Sequence, residues 1–467
     1  MSRQGARRAI VVGGGVTGLT VGYRLMQAAD PLDVSVLEAG PIPGGKLRSV
    51  AVGDLVLPAG ADSFLARKPW AVDLCHELGV ELETPGASGA YLWTDSGLVP
   101  LLKDAPFGIP GDVGDLFRWP GLSRAGKRRA AQDLLRRARK DEADESLGSL
   151  LRRRLGDEAT DLAVGPLLAG LHAGDVDRLS VAATFPDLAA WERWQGSLIR
   201  GSQATSKAAA RASLGPMFAR PRGGVDRLTD VLAGRLGDRV RTGAVVTAVD
   251  ADGARPHVTL EGGETIEADT VVVTTPAHEA SRVLGAGAPT AATALAGISY
   301  ASTGVVLMAY PEGTQAGLPD GTGFVVPSGK APMTAVTWLS SKWPSPAFGS
   351  RAIVRCYVGA VGEEDILDAA DQELIEACAR HLAAVVRLPD MPLHAAVVRW
   401  PASMPQYEVG HLDRVARIRE ELPPGIVVGG QAYDGIGVPD CVRAAGEVAA
   451  RVATAATEST DHEETVP

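Results

Sequence analysis

Three glycines near the amino terminus constrain the fold of this 467-residue chain more than any other feature. They form the pattern Gly13-x-Gly15-x-x-Gly18, which follows an apolar run typical of a buried strand and opens a run typical of a helix. The first glycine permits a tight turn, the second leaves room for a pyrophosphate, and the third lets the helix pack closely on the strand. Free N–H groups at the start of such a helix attract phosphate oxygens. The pattern therefore predicts a bound dinucleotide.

An acidic residue at the end of the next predicted strand strengthens this prediction. Glu38 follows the strand 33–37, about 20 residues beyond the glycines, where a carboxylate can accept hydrogen bonds from ribose hydroxyls. The glycine pattern alone would also suit an ordinary structural turn. Strand, turn, helix, strand and Glu38 in this order indicate a nucleotide-binding βαβ unit.

Further glycine turns favour FAD over a nicotinamide dinucleotide. A simple dehydrogenase does not require the glycine pair Gly44-Gly45. The segment 60–63 supplies a second turn at which the backbone can approach a cofactor closely. Near the carboxyl terminus, Gly429-Gly430 follows a predicted strand and Pro439 suits the first turn of a helix. The amino end of that helix can face the flavin pyrimidine, which gains negative charge on reduction. Each turn taken alone is also compatible with a structural role.

Composition and charge exclude several classes of protein. The formal net charge of -10 argues against a nucleic-acid binder, so an anionic substrate would need a local basic pocket. The four cysteines form no Cys-x-x-Cys pair, which indicates neither zinc nor a redox dithiol, and we expect no metal site. Reduced thiols are typical of a cytoplasmic protein. No apolar run reaches the roughly 18 residues of a membrane span, which leaves peripheral contact with a membrane or a partner enzyme open.

The order of predicted elements indicates an α/β fold. Its glycine turns resemble those of glutathione-reductase-like flavoproteins, which implies a Rossmann-type FAD domain built from separate segments. We expect this domain to comprise 5–98, 217–283 and 396–457. A helical insertion would span 99–216, a mixed-sheet substrate-binding domain 284–395, and a disordered acidic tail 458–467. The basic charges of the helical insertion suit either solvated helix faces or a face for a membrane or partner.

Four distinctive motifs are spread along nearly the whole chain: the block 62–69, Lys342-Trp343-Pro344, Pro405-Gln406-Tyr407 and the block 433–441. Together with the glycine turns they resemble the protoporphyrinogen oxidase family of haem synthesis, in particular its bacterial coproporphyrinogen III oxidases. The resemblance implies a set of FAD contacts: Gly13, Gly14, Gly15, Val16, Thr17, Gly18, Glu38, Ala39, Lys46, Gly60, Ala61, Asp62, Ser63, Val246, Trp400, Ile436, Gly437 and Val438.

The same resemblance implies oxidation of a porphyrinogen, a reduced tetrapyrrole, by removal of six electrons, with molecular oxygen as acceptor and hydrogen peroxide as product. Coproporphyrinogen III carries four propionates, whose strong partners would be cations. The candidates near the substrate are Lys68, which directly follows the flavin-side turn, with Arg67, Arg200, Lys342 and the cavity-lining Tyr407 and Tyr433. Of these, Lys68, Arg67 and Tyr433 are the predicted catalytic, substrate-positioning residues.

Three alternatives remain open at this stage. The substrate could be protoporphyrinogen IX, or the chain could be an amine oxidase or a desaturase on the same fold. A flavin- or porphyrin-carrying protein without activity is the third. No Ser–His–Asp or metal-ligand pattern is present, and the eight histidines are scattered, as expected where a cofactor performs the chemistry.

Overall fold

A five-stranded parallel sheet forms the centre of the dinucleotide-binding fold. A computed structural model describes residues 7–29, 32–140, 143–211, 215–251 and 255–463, with side chains as far as 454. Across the sheet, the strands lie in the order Val240–Arg241, Asp33–Leu37, Arg8–Val12, Thr270–Val273 and Ile426–Val428. Strands from the amino-terminal, central and carboxyl-terminal parts of the chain therefore meet in one sheet.

Both faces of this sheet are covered, which explains why its strands are apolar almost throughout. Alternate residues of the first strand point to opposite faces, with Ala9 and Val11 on one and Ile10 and Val12 on the other. One face carries the helices Val16–Met26, Pro69–Glu77, Asp226–Leu236 and Val438–Glu463. The other carries the antiparallel strands Val246–Asp250, His257–Leu260 and Thr265–Glu267 with the helices Ala277–Leu284, Pro289–Ala296 and His411–Glu420.

A seven-stranded mixed sheet forms the second half of the molecule. Its strands in order are His394–Pro405, Tyr300–Ala309, Ile353–Val358, Ala335–Trp338, Gly323–Val325, Tyr91–Thr94 and Gly97–Pro100. The helix Asp371–Ala383 covers one face, and the hairpin Ser49–Val52/Leu55–Pro58 covers the other. A small sheet joins Phe64–Leu65, Phe218–Pro221 and Leu82–Glu83.

The expected segment boundaries at 98/99 and 395/396 cut through this mixed sheet. The hairpin 91–100 and the strand His394–Pro405 both pair into it, so they belong with the mixed sheet and not with the parallel one. Pairing between distant strands leaves no local signal in the sequence, so the spacing and hydropathy of these segments do not show which sheet they join.

The segment 240–250 forms two strands in different sheets, because Gly243 turns the backbone between them with a φ of +66°. The tail expected to be disordered from 458 continues the last helix through Glu463, since neither glycine nor proline interrupts 447–463. Residues 464–467 lie outside the described part of the chain.

Helices fill most of the segment between 113 and 211. They are Val113–Arg118, Arg124–Ala131, Leu147–Leu155, Asp157–Ala159, Gly165–His172, Val181–Thr184, Pro186–Gln195 and Leu198–Arg211. This segment exposes several large apolar side chains, among them Leu135, Leu162, Leu171 and Trp194. A membrane or partner face here stays a prediction. Within the described residues, no helix combines the length and hydropathy that crossing a bilayer requires.

One charge of the basic run 146–154 is not solvated. The Arg154 side chain is fully buried and forms an ion pair of 2.5 Å with Asp133, which is also fully buried. Asp133 accepts further hydrogen bonds from Ser197 Oγ at 2.5 Å and from the backbone N–H of Ile199 at 2.9 Å. This pair joins three helical segments through one buried carboxylate.

We predict that Asp133→Ala lowers the free energy of unfolding by about 3 kcal/mol, because the buried Arg154 guanidinium keeps only its longer contact of 3.3 Å with Glu192, and Ser197 and Ile199 lose their acceptor. Chemical denaturation followed by circular dichroism measures the change. The matched control is Asp115→Ala, which removes an exposed pair with Arg118 and should cost less than about 1 kcal/mol. Equal effects of the two substitutions would contradict the structural role of Asp133.

Candidate cofactor and substrate site

The first helix begins at a turn that only glycine can form. Gly13 has a φ of +109°, and a Cβ added at Gly18 would overlap the carbonyl oxygen of Gly13. A Cβ added at Gly15 would meet no atom within 4 Å, so the space in front of the helix is open. The helix Val16–Met26 has no side-chain cap on Gly15, which leaves its first N–H groups available to a ligand.

Glu38 closes this turn from the neighbouring strand. Its carboxylate accepts hydrogen bonds from the backbone N–H of Gly14 and of Gly40, both at 2.7 Å. A carboxylate has about four acceptor positions, so these two bonds orient Glu38 and leave it able to bind hydroxyl groups. The predicted neighbour Ala39 is exposed beside it.

The second glycine turn lies directly against the first. Gly44 N donates to Gly14 O at 2.8 Å, and the next residue, Gly45, packs on Gly15. The side chain of Lys46, the next residue, points away from these two turns. Its ammonium donates to the carbonyl of Ser403 and to Gln431 Oε1, the latter at 2.6 Å. Burial lowers the pKa of Lys46 to about 8. Lys46 thus joins the amino-terminal turn to both the mixed sheet and the carboxyl-terminal segment.

The last helix begins at the same place as the first. The first helix packs against the helix Val438–Glu463, and Thr17, in the first turn of one, lies beside Cys441, in the first turn of the other. Gly435 precedes this helix with a φ of +124°, and its N–H donates to Tyr407 Oη at 2.9 Å. Tyr407 Oη in turn donates to Gln431 O at 2.6 Å. The half-exposed residues Ile436, Gly437 and Val438 therefore form a second helix amino terminus held beside the first.

A buried ion pair lies at the end of the segment 60–63. Lys342 Nζ is 2.9 Å from Asp62 Oδ2, and it also donates to Ser63 Oγ at 3.1 Å. Trp343 Nε1 donates to the same carboxylate at 3.3 Å. Burial alone would raise the pKa of Asp62, but the positive charges of Lys342 and Arg355 outweigh it and lower that pKa to about 2. Lys342, expected to face the substrate, is therefore already paired.

The structure separates the predicted substrate residues. The ammonium of Lys68 is 2.7 Å from Asp440 Oδ1 at the start of the last helix, with 43% of its side chain exposed. Arg67 and Arg200 are exposed. Tyr433 is buried in the core on the side of the parallel sheet away from the first helix, and burial raises its pKa.

Two other predicted cofactor contacts lie on edge strands: Val246 in the three-stranded antiparallel sheet and Trp400 in the mixed sheet. Val246 starts an antiparallel strand, and its carbonyl accepts from Arg282 Nη2 at 3.1 Å. The half-buried Trp400 donates from Nε1 to Ala59 O at 2.9 Å, directly before the turn at Gly60. A Cβ at Gly60 would overlap the carbonyl oxygen of Lys46, so these two turns require each other.

Several residues of the site were missed by the sequence analysis. Gln431, Ser403 and Asp440 hold Lys46 and Lys68, and their partners are more than 350 residues away in sequence. No local pattern marks such pairs. Arg355 did leave a signal, because it is the one charge in the apolar strand Ile353–Val358.

We predict that Lys342→Met lowers the free energy of unfolding by about 3 kcal/mol at pH 7, because Asp62 loses its main cation in a buried place. The pKa of Asp62 lies below its ordinary value. Its ionised form therefore stabilises the fold above about pH 4, and that stabilisation is lost as the pH falls through about 2. The difference between wild type and variant should shrink over this range in urea denaturation.

The control for this substitution is Lys330→Met, which removes a pair with the exposed Asp95 and should leave stability almost unchanged. A Lys342→Met deficit that persists undiminished at pH 2 would show that the ionised Asp62 is not its cause.

Comparison with known proteins places this geometry in a family. The family model for flavin containing amine oxidoreductases matches residues 16–453. The coproporphyrinogen III oxidase of Bacillus subtilis is 34% identical over 94% of this chain and 96% of its own length. That of Mycobacterium tuberculosis H37Rv is 33% identical over 95% and 96%. A chloroplastic protoporphyrinogen oxidase of Oryza sativa is 30% identical over 95% and 87%.

Solved structures confirm the predicted fold class. A crystal structure from Exiguobacterium sp., provisionally assigned as a protoporphyrinogen oxidase, superposes with a TM-score of 0.84 at 30% identity and covers 96% of this chain and 99% of that one. Putrescine oxidase bound to putrescine gives 0.71 at 18% identity over 96% and 99%, which shows the fold alone. The chain belongs to the flavin-containing amine oxidoreductase family, in which it groups with the bacterial coproporphyrinogen III oxidases, and its cofactor is FAD.

Proposed function

We propose that this protein oxidises coproporphyrinogen III to coproporphyrin III in haem synthesis. The observation that carries the proposal is similarity along almost the entire chain to relatives that bear this activity in their names. The site agrees with it, because two helix amino termini lie beside each other, the second glycine turn packs on the first, and the space in front of Gly15 is open.

We propose that FAD binds along the two helix amino termini. The open space at Gly15 and the uncapped N–H groups of the first helix fit the pyrophosphate, and Glu38 retains the acceptor capacity that a ribose needs. The segment 436–438 would then lie at the flavin pyrimidine, with Lys46 and the segment 60–63 between the two ends. Val246 would border the adenine ring, and Trp400 would border the turn at Gly60.

Bound FAD supplies a two-electron acceptor, and three successive two-electron oxidations convert the porphyrinogen to the porphyrin. We propose that three molecules of oxygen take up these six electrons and six hydrogens, giving three molecules of hydrogen peroxide. The protein's part is to hold the tetrapyrrole, exclude water and position charges.

For the substrate residues we propose unequal roles. Lys68 is partly exposed at the start of the last helix, so it can exchange Asp440 for a propionate, and the exposed Arg67 can contribute at the entrance. Tyr433 is buried in the core, so we assign it support of the helix His411–Glu420 and not substrate contact.

A second substrate is favoured by one observation. Relatives named for protoporphyrinogen oxidation match this chain at 30% identity, close to the values for coproporphyrinogen III oxidases. Protoporphyrinogen IX has two propionates where coproporphyrinogen III has four, so the two substrates place different demands on cationic side chains. We propose coproporphyrinogen III as the preferred substrate.

The expected result is that purified holoenzyme under air converts coproporphyrinogen III to a fluorescent porphyrin and releases about three peroxides per porphyrin. Fluorescence and a peroxidase-coupled assay measure the two products. Protoporphyrinogen IX should react with a lower kcat/KM, and enzyme stripped of FAD should be inactive until FAD is restored. Turnover of amines without turnover of either porphyrinogen would refute the proposal.

We predict that Glu38→Ala weakens FAD binding at least tenfold, because the turn loses the acceptor for two N–H groups and the ribose loses its partner. Titration of apoprotein with FAD, followed by flavin fluorescence, gives the dissociation constant. Glu447→Ala is the control, since Glu447 pairs with Arg443 on the exposed side of the last helix. Unchanged FAD affinity in Glu38→Ala would exclude Glu38 from the cofactor site.

A further inference from the structure

Arg355 is a buried cation in a strand that is otherwise apolar. The strand Ile353–Val358 has the sequence Ile-Val-Arg-Cys-Tyr-Val, and Arg355 is only 4% exposed. Among the described residues, its Nε and Nη1 atoms have no hydrogen-bond partner. A guanidinium in this state is costly, because it has left water without replacing its hydrogen bonds.

The alternation of the strand shows which way Arg355 points. Val354, Cys356 and Val358 pack beneath the helix Asp371–Ala383, whereas Ile353 packs towards the hairpin Ser49–Val52/Leu55–Pro58. Arg355 and Tyr357 share the face of Ile353. The chain leaves that hairpin directly into the segment 60–63, so Arg355 lies on the side of the mixed sheet that faces the proposed cofactor site.

Asp62, the carboxyl group whose pKa the charge of Arg355 lowers, is already neutralised by another cation. Asp62 pairs with Lys342, and both carboxylate oxygens accept hydrogen bonds from that ammonium, at 3.1 and 2.9 Å. Nearby, Arg220 pairs with Glu83 at 2.6 Å while lying over the ring of Trp343. After these two pairs are counted, the positive charge of Arg355 remains without a counter-charge within ion-pair distance in the described residues.

The guanidinium is held in place by an aromatic ring. Its Cζ atom lies 4.5 Å from the ring centroid of Tyr357, whose hydroxyl is 3.4 Å from Thr337 Oγ1 on the adjacent strand. Tyr357 and Thr337 are only half-buried, so this side of Arg355 borders accessible space. A guanidinium fixed on a ring, with unused donors, suits a carboxylate, to which it can form charge-assisted hydrogen bonds.

We infer that Arg355 binds one propionate carboxylate of the tetrapyrrole and thereby favours carboxylate-bearing substrates over uncharged ones. This inference rests on the proposed function and adds to it a specificity-determining residue on the mixed sheet, far in sequence from Lys68. Because Arg355 acts on a side chain of the substrate and not on its reacting carbons, it should govern affinity more than the rate of oxidation.

The test measures binding of a stable product, so that it does not depend on turnover. Coproporphyrin III and its tetramethyl ester are titrated, in the same dilute detergent, into the FAD-containing wild type, Arg355→Met and Arg222→Met, with porphyrin fluorescence as the readout. Arg222 is the control because it forms an exposed pair with Glu81. We expect Arg355→Met to weaken binding of the acid at least tenfold and of the ester less than twofold, with unchanged FAD content. Arg222→Met should match the wild type.

Three results with the variant would overturn the inference: equal affinity of Arg355→Met and wild type for the acid, equal weakening for acid and ester, or loss of FAD from the variant. The last would mean that Arg355 serves the cofactor. If Arg355→Met does not fold, Arg355→Gln takes its place under the same criteria.

Turnover of coproporphyrinogen III by the wild type is recorded in parallel. If binding depends on Arg355 but the wild type shows no turnover, the inference stands and the proposed activity is refuted. If the wild type turns over coproporphyrinogen III but binding does not depend on Arg355, the proposed activity stands and the inference is refuted. A wild type that binds neither acid nor ester would overturn the inference.

Discussion

The close contact between the first helix and the first strand is the constraint on which the rest of the site depends. A side chain at Gly18 would collide with the carbonyl oxygen of Gly13, so the helix can approach the strand only because this position is glycine. That approach points the uncapped N–H groups of the helix at the open space in front of Gly15. The positive end of the helix dipole and these donors together make the space suitable for an anion. Every other part of the site is arranged around this point.

Three segments of the chain converge there, and polar contacts hold each of them. Glu38 accepts from the backbone N–H groups of Gly14 and Gly40, and the bond from Gly44 N to Gly14 O fastens the first two glycine turns to each other. Lys46 spans from the second turn to Ser403 and Gln431, which belong to the mixed sheet and to the loop before the last helix. Because these groups are largely buried, each contact replaces lost hydration and also fixes the relative position of the segments.

The mixed sheet contributes charged side chains to the site, whereas the parallel sheet contributes its shape. Asp62, Lys342 and Arg355 come from three separate parts of the chain; Lys342 pairs with Asp62, and the charge of Arg355 also lowers the pKa of that carboxyl. One carboxylate and two cations leave a net positive charge in a region largely shielded from solvent. A chain with a net charge of -10 has no long-range attraction for an anionic tetrapyrrole, so a local charge of this kind is where such a substrate can be recognised.

The nucleotide-binding unit could be predicted without coordinates, since the strand Arg8–Val12, the turn, the helix and Glu38 are close in the chain and each has a steric or electrostatic requirement that few residues meet. The sequence also indicated that the carboxyl-terminal glycines complete the same site. The folded structure was needed to show which strands complete the mixed sheet, that Lys342 and Lys68 are already paired, that Tyr433 lies in the core, and that two nitrogen atoms of the buried Arg355 have no partner among the described residues. These properties depend on contacts between residues hundreds of positions apart, for which local spacing and hydropathy carry no information.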